Sequence, residues 1–224
     1  MIYGWVFSGW FCSIAALIWG FGAILLVLKI QKEECDFKAP FPLHVLVAVG
    51  ITSALAGFLM PAPMNLAVAL AIGGLLPAAW SDWSTTYLWD EVIVPTAIMV
   101  GGAMMIGGRG GEAMSGGVVV GGTYCALWAG ALISKREIGL GDVKMAAVIG
   151  MALGPLAGMI AFFVAPFIGI ALWAIRKRSP LTEKEHEIPY GPALVGAMLI
   201  TCGFAPLVDT SYGFLLPAWF AVQP

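Results

Sequence analysis

Asp82 and Asp142 are the residues of this chain whose type and setting could carry chemistry. Asp82 closes an apolar stretch in Ala79-Trp80-Ser81-Asp82, and Asp142 opens another in Ile138-Gly139-Leu140-Gly141-Asp142-Val143-Lys144. Acidic side chains in or beside membrane helices are costly, so their presence points to function. Two carboxylates converging at one membrane face would share a proton, because like charges a few ångströms apart resist joint ionisation. One can then act as base on a water while its protonated partner donates to a carbonyl oxygen. That pair suffices for peptide hydrolysis without a metal or a covalent intermediate. Gly139 and Gly141 suit the task, since bare backbone bends easily and admits another chain closely.

The surroundings of these acids are set by composition. The chain of 224 residues is 60% hydrophobic and 11% charged, with a mean hydropathy of +0.93. A soluble domain carries roughly 25% charged residues, so the apolar surface here must face lipid. The expected fold is all-α, a polytopic transmembrane bundle of about eight spans at roughly 20 residues each. Residues 1–224 read as one membrane-embedded domain. No basic stripe of the kind nucleic acid requires is present. The first charged side chain is Lys29, so the N-terminal stretch lacks the basic start of a cleavable signal peptide. Cys12, Cys35, Cys125 and Cys202 are scattered, and His44 and His186 have no nearby ligand-type partners. Neither a disulfide nor a metal site is expected.

Polar breaks divide the apolar sequence into spans at residues 9–28, 43–60, 66–80, 92–106 and 113–134, with another at 190–205. From Asp142 to Ile175 the chain stays apolar for too long to be one span, and Gly154-Pro155 is the natural break. The tail beyond Asp209 reads as an interfacial segment anchored by Tyr212, Trp219 and Phe220. Alternating loops with the N-terminus outside place ten of the eleven basic residues on the inner side, Arg109 being the exception. That asymmetry is the positive-inside pattern. It puts Asp82 and Asp142 on the same, cytoplasmic face. The spacings Gly117-xxx-Gly121 and Gly150-xxx-Gly154 are read as close helix packing.

Gly139-Leu140-Gly141-Asp142 matches the GxGD motif of intramembrane aspartyl proteases, and with Lys144 it resembles the GxGDxK of type IV prepilin peptidases. Asp82 and Asp90 resemble that family's D-x7-(D/N) segment. Ile188-Pro189-Tyr190-Gly191-Pro192 is similar to its IPFGP motif, and Phe41-Pro42-Leu43 to its YPL entry. The resemblance covers about 41–205. It implies an aspartyl endopeptidase of the bacterial inner membrane, cleaving the short basic leader of a prepilin or pseudopilin at the cytoplasmic face. Asp82 and Asp142 would be catalytic, and no cofactor is implied. Two departures stand out. Trp89 occupies the place where the family usually has proline, and the short segment 31–42 lacks the paired CxxC motifs linked to pilin N-methylation. The resemblance therefore implies a peptidase without evident methyltransferase equipment.

Other residues carry weaker signals. Asp142 could cap its helix, and Asp90 and Glu91 read as dipole partners of the fourth span. Lys144 could tune a carboxylate, contact lipid phosphate, or only mark the inner face. Glu183, Glu185 and Glu187 read as a solvated loop. Two other functions fit paired acids: a proton-coupled transporter, whose usual inverted repeats are not visible, and a presenilin-like protease. The latter is disfavoured because the aspartates lie only 60 residues apart (142 minus 82).

Overall fold

The computed structural model describes residues 8–34, 42–60, 62, 64–133, 139–177 and 190–215. Seven helices and no strand occur among these residues: α1 (Gly9–Glu34), α2 (Leu43–Leu59), α3 (Met64–Thr85), α4 (Asp90–Ile106), α5 (Gly110–Ile133), α6 (Leu140–Lys177) and α7 (Gly191–Leu215). Four of them, α1, α3, α5 and α6, are long and apolar enough to cross a membrane, while Leu43–Leu59 and Gly191–Phe204 are shorter apolar helices. Ile18, Ile98, Val118 and Phe167 point outward, as side chains solvated by lipid do. The molecule is a helical membrane bundle.

The break expected at Gly154 is present. Gly154 has φ 78° and ψ 176°, a conformation open to glycine at no steric cost. The chain turns back there. A Cβ on Gly158 would lie 3.1 Å from the Gly150 Cα, whereas eight residues of continuous helix span about 12 Å. Arms 140–153 and 155–177 therefore form a hairpin, and α5 packs along it. At this junction Gly116 and Gly150 face each other, so that a Cβ on either would fall on the other's carbonyl oxygen. Gly121 meets Ala147 and Gly117 meets Met151. The small-residue spacing read from sequence is real packing, and Gly116 belongs to it as well.

At the centre stands α3, buried along nearly its whole length. Its residues are mostly Ala, Gly and Leu, which let neighbours approach on every side. Gly73 lies under the Ala16 carbonyl, and Gly74 lies under Thr96 and Trp19. Trp19 Nε1 donates to Thr96 Oγ1 across that gap at 3.3 Å, tying α1 to α4 over the bare backbone of α3. Three ends differ from the sequence expectation. The first helix runs on to Glu34 and α3 to Thr85, so Asp82 sits inside the last turn of α3. The last helix continues to Leu215, through the start of the expected interfacial tail; residues 216–224 lie outside the described residues.

Gly116→Val is expected to destabilise the bundle by about 1–3 kcal/mol through overpacking against Gly150. Thermal unfolding in detergent measures this, and an unchanged midpoint would contradict the close α5–α6 crossing.

Candidate active site

The last turn of α3 carries Asp82, which is buried at 5% exposure although the side chain is ionisable. A buried carboxylate requires donors. One comes from the first residue of α7: Gly191 N–H donates to Asp82 Oδ2 at 2.8 Å. This amide is one of those a helix N-terminus leaves unpaired, and the helix dipole there favours negative charge. A side chain on residue 191 would force the carboxylate to shift, because its Cβ would lie 2.9 Å from Asp82 Oδ2. Pro192 follows in the first turn of α7, where a missing N–H costs nothing.

Asp142 lies in the first turn of α6 and is 9% exposed. It is not the cap residue; Gly139 precedes the helix, and its carbonyl accepts Asp142 N–H at 3.1 Å. The Asp142 carboxylate folds back over Gly139, where a Cβ would stand 3.2 Å from Oδ2. Gly141 answers a different need. Its Cα faces Leu88, whose Cβ would be 2.7 Å from a Cβ at 141. The loop between α3 and α4 thus rests on the first turn of α6. Asp82 and Asp142 are brought within electrostatic reach of each other.

That loop is tightly made. Thr86 N–H closes on the Asp82 carbonyl at 2.8 Å, and Thr86 then takes φ 62°, ending α3 in the left-handed conformation usual at helix C-termini. Trp89 precedes α4 in an extended conformation with φ −85°, just beyond the range a proline holds. Asp90 and Glu91 occupy the first turn of α4. Asp90 also has a partner: Lys144 Nζ contacts Asp90 Oδ1 and Oδ2 at 2.7 and 2.6 Å. The lysine of one motif clamps the second acid of the other, and both side chains are partly exposed.

Residues 69–174 match the model of the type IV leader peptidase family. Over that segment, a little under half of its length, the chain is similar to the type IV leader peptidase family. It is also similar to two proteins named prepilin leader peptidase/N-methyltransferase. The one from Aeromonas hydrophila is 27% identical over 172 residues, covering 72% of this chain and 57% of the relative. The one from Aeromonas salmonicida strain A449 is 27% identical over 182 residues, covering 75% and 60%. The chain thus spans less than two thirds of the length of these relatives. No solved structure matches it.

Set against the leader peptidase motifs, the structure gathers Asp82, Asp142, Gly139, Gly141, Gly191, Asp90 and Lys144 at one end of the bundle, with Pro192 in the adjoining helix turn. Pro189, Phe41, Cys35, Glu183, Glu185 and Glu187 lie outside the described residues. Tyr190 packs 6.4 Å, ring to ring, from Tyr124 of α5. Among the described residues no group of three metal-ligating side chains occurs. Sequence reading missed Gln31 of α1, which is fully buried and donates to Ser81 Oγ at 3.1 Å. Its signal was available. Ile24, Val27 and Gln31 form one buried stripe at the helical spacing of three and four residues.

A double-mutant cycle on Asp90→Asn and Lys144→Met should give a coupling energy of about 0.2–1 kcal/mol, the range for exposed ion pairs. Detergent unfolding of the four proteins measures it, and the coupling should shrink as salt is raised.

Proposed function

We propose that this chain is an aspartyl endopeptidase that removes the short basic leader from a prepilin or pseudopilin precursor. The observation that carries the reading is the convergence of Asp82 and Asp142, both buried, at one end of the bundle. The motif glycines at 139 and 191 pack directly on the two carboxylates, which gives those motifs a physical reason. In the proposed mechanism one carboxylate holds a water and accepts its proton as it attacks the scissile carbonyl. The other, protonated, donates to the carbonyl oxygen. The tetrahedral intermediate collapses when the leaving amine takes a proton from the acid that received one, while a hydroxyl of the intermediate returns its proton to the other. Water adds across the peptide bond, and each carboxyl recovers its starting state.

We further propose that the eight helical rods, counting the two arms of α6 separately, each cross the bilayer with the N-terminus outside. The basic residues favour this topology. It sets the dyad at the cytoplasmic face of the inner membrane. There the apolar helix of an inserted precursor meets its basic leader. Supporting this substrate class are the matched family and the names of the two relatives.

Asp82→Asn and Asp142→Asn should each lower leader removal at least about 10²-fold, the scale of general acid–base catalysis. Cleavage of a co-expressed precursor, normalised to the amount of enzyme in the membrane, is the measurement. Wild-type rates in either variant would reject the dyad. Gly191→Ala should also slow cleavage, since its methyl displaces the Asp82 carboxylate. Vesicles that show proton-coupled uptake without any proteolysis would instead support a transporter.

A further inference from the structure

Behind Asp82 lies a second polar cluster that the reaction itself does not use. Ser81, the neighbour of Asp82, is fully buried. Its Oγ accepts two hydrogen bonds, from Gln31 Nε2 at 3.1 Å and from Trp89 Nε1 at 2.8 Å. Gln31 Nε2 also reaches Ser84 Oγ at 3.3 Å. The protons of this cluster can be traced. Thr85 Oγ1 donates to the Ser81 carbonyl at 2.9 Å, and Ser84 Oγ donates to the Trp80 and Ser81 carbonyls. The Ser81 hydroxyl proton is then left for Thr85 Oγ1, at 3.5 Å. Three separate parts of the chain are thereby joined through one hydroxyl: the end of α1, the last turn of α3, and the residue just before α4.

Each of those attachments constrains Asp82. The hold from Gln31 fixes the turn that carries it. The hold from Trp89 closes the loop of residues 86–89 onto that turn. The next residue, Asp90, is bound to Lys144, two positions beyond Asp142. Two sets of polar contacts, joined through the Trp89–Asp90 peptide bond, thus run from α1 to both aspartate-bearing segments. From this geometry we infer that Gln31, Ser81 and Trp89 form a positioning network that sets the angle of Asp82 relative to Asp142, with α1 a working part of the catalytic apparatus. The inference rests on the protease reading above. Gln31 and Trp89 are positioning residues here, because neither has been placed against a reacting atom. Burial argues for a specific role: Gln31 Oε1 has no hydrogen-bond partner among the described residues, and such a group is costly to retain without return.

The test uses the full chain in detergent, with Gln31→Met, Ser81→Ala, Trp89→Phe and the Gln31→Met/Ser81→Ala double variant. Cleavage of a precursor peptide should show kcat lowered about 10- to 100-fold, the cost of a small misplacement of a reacting group, with KM within about twofold. The double variant should be no slower than Ser81→Ala alone, since both substitutions cut the same link. An activity-independent readout accompanies this. Protein labelled with 5-fluorotryptophan, its Trp89 resonance assigned by loss in Trp89→Phe, should show that resonance shifted by Gln31→Met. Monodisperse elution of each variant controls for folding. An unmoved resonance with unchanged kcat in Gln31→Met overturns the network. An equal fall in stability and activity with a raised KM reduces it to ordinary packing and overturns the positioning role. If the wild type cleaves nothing while the resonance still moves, the protease reading has failed, and the catalytic role of the network falls with it.

Discussion

A carboxylate buried inside a membrane protein must find a donor, and most of this site follows from how Asp82 finds one. Its donor is a backbone amide, Gly191 N–H, supplied by the start of a helix 109 residues further along the chain. A backbone amide cannot swing like a side chain, so that contact ties the start of α7 to the end of α3. The same helix end contributes its dipole. Asp142 occupies the equivalent electrostatic setting in the first turn of α6. Each acid is thus placed beside a helix N-terminus, whose dipole favours whichever carboxyl of the pair is ionised.

Bringing helix ends this close depends on missing side chains. Gly139, Gly141 and Gly191 each face a different neighbour: the Asp142 carboxylate, Leu88, and the Asp82 carboxylate. Deeper in the bundle, Gly74 admits the Trp19–Thr96 bond, and Gly116 and Gly150 allow α5 and the first arm of α6 to touch. In lipid, helices gain little from hydrophobic sequestration, and association relies on close packing and hydrogen bonds. The glycines that hold the fold and those that shape the site act through one physical effect. Both permit backbone contact.

The matched family segment, 69–174, runs from within α3 through most of α6, and therefore holds both aspartates, but leaves out α1 and α7. Those two flanking helices are the ones that contact the α3 end: α7 through Gly191, α1 through Gln31. The acids lie inside the matched segment, and much of what orients them lies outside it.

Much of this was readable from residue order. The shortage of charge dictated a lipid-facing helical bundle, Gly154-Pro155 gave the break in α6, and GxGDxK with D-x7-D marked both acids. Such features are local: a motif, a hydropathy run or a backbone conformation is written in adjacent residues. The bonds that orient the site are not local. Lys144 to Asp90 spans 54 residues, Gln31 to Ser81 spans 50, and Gly191 to Asp82 more than twice as many. Lys144 gave three equal readings in one dimension because its partner is chosen by helix packing. Gln31 looked like loop because the apolar run had ended, yet α1 continues and turns that amide inward. Residue types declared which groups could react; only the packed helices decided which of them face each other, since hydrogen bonds and ion pairs depend on distance in space and not on order along the chain.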